Sequence, residues 1–300
     1  MGLRSNVSQR QRRLGQELRK LREAADVPRA EVCRRIGIHT PHLSNIEAGR
    51  TACSEARLRA LAEVYGCTNK ALVDALVEMS NASGKGWWTA YAKTLETRVI
   101  DLAELEAAAT AHRSFQWLYI PGLLQTPDYM RSLFARTNPA APIEVIEEYV
   151  NFRLRRQQVL VEEPLPNYHA VIHEAAFHMK FVDRKIMQDQ LEYLVQLAHF
   201  PNITIQVLPF SADAHPATPG APYTLLDAQV PELCTVHVEQ PVASVFLGDP
   251  AQINRFATDF ARLSAVSLAS LDLTGQLGEG SLGLVHHLLY LMKEGKNAGT

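Results

Sequence analysis

Cysteine is scarce in this 300-residue chain and shows no pattern. Cys33, Cys53, Cys67 and Cys234 form no Cys-x-x-Cys pair and do not cluster with histidines. Such spacing disfavours a zinc site or a disulfide framework and fits a reducing cytosol. Cys33 reads as a small buried thiol. No signal peptide is visible. The longest apolar run near either end, at about 282–292, contains His286 and His287 and is too short to span a bilayer. A nucleophile elbow, a phosphate-cradling glycine loop and a paired ligand motif are all missing, so neither an enzyme nor a cofactor is expected. The nearest approach to a metal motif is His173-Glu174-Ala175-Ala176-Phe177-His178. Its second histidine falls at i+5, off the helical face that His-Glu-x-x-His needs, so no metal is expected there. No internal repeat is present.

A marked excess of charge is lacking too, with a formal net charge of −2. The charge is nevertheless unevenly placed. Residues 1–80 hold 14 Lys+Arg against 9 Asp+Glu, and the remaining 220 residues hold 16 against 23. A basic head on an acidic body is the asymmetry expected when one end meets phosphates. The length suits roughly two domains of about 100–200 residues each.

The basic head is organised around Pro28 to Arg50. Residues 31–36 and 41–48 read as two short helices joined at Gly37, with Val32, Ile36, Leu43 and Ile46 facing inward. Thr40 is placed to cap the second helix, Pro41 to occupy its first position and Gly49 to end it. Two short helices around a glycine turn, the second with a polar outer face, describe a helix-turn-helix, a device for reading DNA. A helix at 9–25 precedes it. Ser54 caps a fourth helix stopped by Gly66, and Thr68 or Asn69 starts a fifth that runs to about 79. The first eight residues read as disordered.

The small, polar stretch 80–86 reads as a linker. Behind it, 87–111 reads as helix and Ser114 to Gly122 as an extended segment. Helices start at Thr126-Pro127 and Pro142, and further helices are expected at 184–199, 250–265 and 282–293. Strands are expected at 168–173, 203–208, 223–226, 234–238 and 244–247. The fold class is therefore mainly α: a five-helix head at 9–79, an α+β regulatory domain at 87–266 with a small mixed sheet, and a C-terminal helical extension at 267–300. Trp87-Trp88 reads as a core anchor at the domain junction rather than a ligand-stacking pair, and Arg153 and Arg156, on one helix face among acidic neighbours such as Glu147 and Glu148, as members of an ion-pair network rather than an anion site. The proline-rich stretch 211–222 is either a docking loop or an ordinary surface excursion. The last helix is either a core element or a dimer surface.

Residues 12–66 resemble the helix-turn-helix domain of the XRE type. The resemblance is carried by Leu14-Gly15, Leu18-Arg19-Lys20-Leu21-Arg22, Gly37, Leu43-Ser44-Asn45-Ile46-Glu47 and Gly49-Arg50. Residues 87 to about 265 resemble the antitoxin-like partner domain found behind such heads in actinobacteria. There the motifs are Trp87-Trp88, PGLLQTPDY at 121–129, RLRRQ at 153–157 and PNITIQVLPFSADAH at 201–215. Together they are similar to streptomycete regulators of the WhiJ type. The resemblance implies a small partner protein encoded nearby. The head departs from that family where Pro28 and Arg29 replace a serine cap and glutamine, and where His39 and Thr40 open the recognition helix.

DNA contact is expected from Arg29, Thr40, Pro41, His42, Ser44, Asn45 and Arg50. Asn45 is the sharpest candidate, because an asparagine amide can pair with N6 and N7 of adenine. Arg29, Arg50 and the arginines of the first helix are phosphate candidates. A head that reads few base pairs needs a second, so a homodimer on double-stranded DNA is expected. The function expected is a cytoplasmic, sequence-specific transcriptional regulator whose second domain receives a signal, from the small partner protein or from a small-molecule ligand. An antitoxin-like autoregulator overlaps this reading. An enzyme carrying a DNA-binding head is disfavoured.

Overall fold

Ser8 opens the first helix, α1 (Gln9–Ala24), with a reciprocal cap: its hydroxyl accepts from the Gln11 amide while the Gln11 side chain accepts from the Ser8 amide. The computed structural model describes residues 7–81, 86–212, 221–240, 244–272 and 280–294. Residues 1–6, 82–85 of the expected linker, 213–220 of the proline-rich loop and 273–279 of the glycine-punctuated tail lie outside the described residues. The described chain divides into two units. The first is Met1–Ala108 with Ala228–Cys234, and the second is Ala109–Asp227 with Thr235–Thr300.

In the first unit α1 is followed by α2 (Arg29–Ile36), α3 (Thr40–Glu47), α4 (Glu55–Val64) and α5 (Lys70–Asn81). Their punctuation is local chemistry. Gly37 ends α2 in the left-handed region at φ 67°, Gly49 follows α3 at φ 72°, and the Ser54 hydroxyl accepts from the Arg57 amide. The start of α3 differs from expectation. His39 is the capping residue, without a side-chain bond, and Thr40 and Pro41 already lie inside the helix. With Pro at the second helical position its missing N–H is still one of the unpaired amides of the first turn, so nothing is lost. Leu18, Val32, Leu43, Ile46, Leu58, Leu61 and Leu76 are buried together.

Two segments distant in sequence belong to this unit. Helix α6 (Thr97–Ala108) sits against the start of α1, where Asp101 accepts from the Gln9 amide at 3.0 Å and Glu104 meets Arg10 at 2.7 Å. Burial raises the pKa of the Asp101 carboxyl, and the Gln9 amide opposes that. The second segment is 228–234. Its Val230 and Leu233 pack into the helical core, Asn69 donates to the Glu232 carboxylate at 2.9 Å, and Arg13 donates to the Glu232 and Cys234 carbonyls.

The expected helix over 87–111 is broken. A 3-10 turn covers Trp87–Tyr91, and α6 starts only at Thr97. Neither tryptophan is buried; they meet edge to face at 5.9 Å, so the expected core anchor is not what this turn provides.

The second unit is built on a six-stranded mixed sheet in the order β3-β2-β1-β4-β5-β6. Strands β1 (Ala111–Gln116), β2 (Asn167–His173) and β3 (Ile203–Leu208) are parallel, and β4 (Tyr223–Asp227), β5 (Thr235–Val238) and β6 (Val245–Leu247) continue antiparallel. The parallel strands are joined through α7 (Pro127–Thr137), α8 (Ile143–Gln157) and α9 (Arg184–Leu197), as crossovers require. Strand β1 starts and ends before the expected extended segment. Its register with β4 ends at Phe115, and Trp117, Leu118 and Tyr119 lie beyond it, each more than a third exposed. The shift arises because three of its residues, His112, Ser114 and Gln116, are polar yet buried.

One face of the sheet packs on α10 (Pro250–Val266), through Phe260 and Leu263 against Phe115, Val171, Tyr223 and Val236. On the other face α9 and α11 (Gly280–Glu294) cover Ala170, Ile172, Ile205 and Val207. Leu282, Val285, Leu288 and Leu289 of α11 are core residues there, so the last helix takes the intramolecular role. The motifs at 121–129 and 153–157 meet in this unit. Gln125 donates to the Ile120 carbonyl at 2.7 Å and accepts from Arg153 at 2.7 Å, while Gln157 donates to the Gln125 carbonyl. Arg153 also stacks on Phe134 at 4.6 Å. Of the acidic neighbours expected in the ion-pair network, Glu147 is held by Arg131 at 2.6 Å, which lowers its carboxyl pKa.

Candidate nucleic-acid interface

The recognition helix is positioned by close backbone approach. Gly15 of α1 lies so near the end of α3 that a Cβ there would stand 2.4 Å from the Glu47 carbonyl oxygen and 2.7 Å from that of Ile46. A Cβ on Gly49 would stand 2.6 Å from the Gln11 carbonyl oxygen. Two glycines thus let α1 and the end of α3 touch, one on each side of the crossing.

A buried ion cluster locks the same end. Glu47 is 5 % exposed. Its carboxylate accepts from Arg22 at 2.5 and 3.3 Å and from Arg29 at 2.9 and 3.1 Å. The hydrogen bond to Glu47 raises the Arg22 pKa, against the opposing effect of burial. Nearby, burial and then the Glu47 charge push the Tyr65 hydroxyl above its ordinary value. Burial pushes the Cys53 thiol up to about 11, so it is an inert core group. Cys33 is 7 % exposed, as a small buried thiol should be.

The polar face of α3 is left outward. Thr40 and Pro41 are exposed, and His42, Ser44 and Asn45 are half-buried. Arg50, just past the helix, is exposed, and its amide is bonded back to the Asn45 carbonyl at 2.8 Å. Among the described residues the side chains of Thr40, Ser44, Asn45 and Arg50 have no hydrogen-bond or ion-pair partner. His42 has one, with Nε2 3.3 Å from Nη1 of Arg57 on α4. Arg29 does not share this outward freedom, because it directs Nε and Nη2 onto Glu47. The structure therefore brings together Thr40, Pro41, His42, Ser44, Asn45 and Arg50 along one helix and its exit.

The head's positive charge is mostly spent internally. Arg10 meets Glu104, Arg13 and Lys20 meet Glu17, Arg19 meets Glu23, and Arg22 and Arg29 meet Glu47. Arg34 and Arg35 meet Glu31, and Arg59 meets Glu55 and Asp74. Among the described residues of 7–80, carboxylate partners are lacking only for Arg12, Arg50, Arg57 and Lys70. Arg12 is turned onto the Val7 carbonyl. Sequence reasoning missed Arg57. A signal was available in its place at the third position of the helix capped by Ser54, in register to lean over α3.

His173 and His178 each have a local partner. The His173 Nδ1 accepts from the Ala175 amide at 3.0 Å, and His178 lies 3.6 Å from Glu174. Among the described residues no group of three or more metal-ligating side chains is found, and no helix is long and apolar enough to cross a membrane.

Comparison with known proteins adds two matches. Residues 13–76 match a family model described as a helix-turn-helix domain, and residues 99–274 match one described as a domain of unknown function, DUF5753. No curated protein and no solved structure matches the chain. The first match runs from α1 into α5 and includes α3, and a helix-turn-helix domain with an outward polar face marks a DNA-binding regulator. Because the second match spans more than half of the residues, the chain belongs to the DUF5753 family, joined here to an N-terminal helix-turn-helix domain.

Proposed function

We propose that this protein is a sequence-specific transcriptional regulator of the XRE type that acts as a homodimer on double-stranded DNA in the cytoplasm. The observation that carries this reading is the outward row Thr40, His42 and Asn45 on a helix anchored at its other end by Gly15 and Glu47. A fixed helix with outward polar groups on its N-terminal turns suits the major groove. A dimer would present two such helices about 34 Å apart to a palindromic site. Asn45 would read adenine, and Thr40 would touch a thymine methyl. The test begins with selection of binding sites from a random-sequence duplex library by the full chain. Asn45→Ala is then expected to lose about 1–3 kcal/mol of discrimination at one adenine position. An unchanged base preference in a folded Asn45→Ala protein would overturn the assignment.

The second half of the proposal is that the DUF5753 region controls the head in response to a small partner protein. Support comes from 228–234 and all but the first two residues of α6, which lie within the DUF5753 match yet pack among the helices of the first unit. Trp117, Leu118 and Tyr119 supply three consecutive exposed apolar side chains, a feature of protein-contact surfaces. Purifying the full chain together with the product of an adjacent small gene should retain that product and change the affinity for the selected duplex. No retention would turn the reading toward a small-molecule signal. Relief of toxicity on co-expression would instead mark an antitoxin.

A further inference from the structure

We propose that Arg57 is a DNA phosphate contact, held in position by His42 of the recognition helix, and that it forms a cationic rim to the interface together with Arg50. The proposal rests on the DNA reading above and deepens it. The first argument is electrostatic. Most of the described cations of the head have a carboxylate beside them, and an ion pair offers little net field to a phosphate. Arg57 is an exception: its hydrogen-bond partner is the imidazole Nε2 of His42 at 3.3 Å. A neutral imidazole with its proton on Nδ1 accepts one guanidinium N–H and leaves the charge and the remaining donors of the fork unspent.

The second argument is positional. His42 lies on the N-terminal half of α3, the part of a recognition helix that faces base edges. Arg57 comes from a different helix, α4, and reaches His42 from the flank. A group beside the recognition helix stands where the groove wall runs, and that wall is phosphate. The third argument is entropic. Arg57 is half-buried and already hydrogen-bonded, so it surrenders less rotamer freedom on binding than a free surface arginine does. Arg29, by contrast, has its fork turned onto Glu47.

The experiment uses the full chain, a duplex recovered by selection, and a random-sequence duplex, with affinity measured by fluorescence anisotropy between 50 and 200 mM salt. Each phosphate contact contributes about 0.9 to the slope of log affinity against log salt. Arg57→Gln should therefore lower the slope by about 0.9 and weaken both duplexes by the same factor. The ratio of wild-type to variant affinity should then shrink roughly 3.5-fold across that salt range. Arg57→Lys should keep the slope, and Arg34→Gln, whose guanidinium is paired with Glu31, should leave it unchanged. A wild-type slope in a folded Arg57→Gln protein overturns the proposal, as does weakening of the selected duplex alone, which would make Arg57 a base reader. Arg57→Met is measured in the same way if the glutamine variant melts early. Failure of the wild-type chain to bind any duplex strikes the DNA reading itself, and Arg57 falls with it.

Discussion

Gly15→Ala is expected to destabilise the helix-turn-helix unit by about 2 kcal/mol or more and to abolish DNA binding. Alanine improves helix propensity by about 1 kcal/mol, so a naive reading of α1 predicts a gain. The opposite sign follows from what the added methyl meets. Its Cβ would stand 2.4 Å from the Glu47 carbonyl oxygen, 2.7 Å from the Glu47 carbonyl carbon and 2.7 Å from the Ile46 carbonyl oxygen. These are backbone atoms of the recognition helix, and no side chain can rotate to make room. Overpacking of this kind typically costs about 1–3 kcal/mol and at times more. Helix α1 has to move away from α3, which takes the outward row Thr40, His42 and Asn45 out of its fixed orientation. Thermal melting of the full chain should show the first unit's transition lowered by roughly 10 °C. Gln16→Ala, at an exposed position on the same helix, should leave it almost unchanged. A Gly15→Ala protein that melts at or above the wild-type temperature would refute the close approach of α1 and α3.

Glu47→Ala is expected to cost about 3 kcal/mol, because it leaves the buried Arg22 guanidinium with only the half-exposed Glu23 carboxylate, 3.3 Å from one Nη, as counter-charge. The side chains of Arg22 and Glu47 are 9 % and 3 % exposed, so water does not replace the lost partner. The pair itself need not be worth that much. Desolvating two charges offsets most of their attraction, and replacement by apolar residues of similar size is often neutral or stabilising by about 1–4 kcal/mol. The double variant Arg22→Met, Glu47→Leu should therefore recover most of the loss. Arg29→Ala should cost less than about 1 kcal/mol, since Arg29 is 40 % exposed and its pairing is screened by solvent. Urea denaturation of the three proteins measures all of this. If Glu47→Ala unfolds within about 1 kcal/mol of wild type, the cluster is not the lock described.

Much of the fold was legible because it depends on neighbours in sequence. The glycine turn at 37, the serine cap at 54 and the proline-led starts at 127 and 250 are chemistry within four residues of the element they punctuate. Strand β3 was legible to the residue, since ITIQVL is apolar and β-branched enough to be recognised without context. Strand β1 was displaced in the reading because AHRSFQ hides buried His112, Ser114 and Gln116 behind polar names, while the neighbouring aromatic Trp117 and Tyr119 are exposed. In the candidate site the outward residues of α3 were legible from helical periodicity alone. Glu47 was visible as a motif letter without its physical meaning, because Arg22 lies 25 residues away and Arg29 lies 18 away.

By itself the sequence determined that a basic helical head carries a two-helix reading device, and that an α+β region with alternating strands and amphipathic helices follows it. Those properties rest on residue spacing, capping and charge composition, which need no third dimension. Only the tertiary structure decided which cations are spent and which are free. It placed Arg29 on Glu47, brought Arg57 to His42 and left Arg50 open. It also decided that 228–234 and α6 belong with the head, by burying Val230 and Leu233 among its helices and joining Glu104 to Arg10. The physical reason is the same in each case. Charge pairing and burial depend on distance in space, and these partners lie from 15 to more than 200 residues apart along the chain.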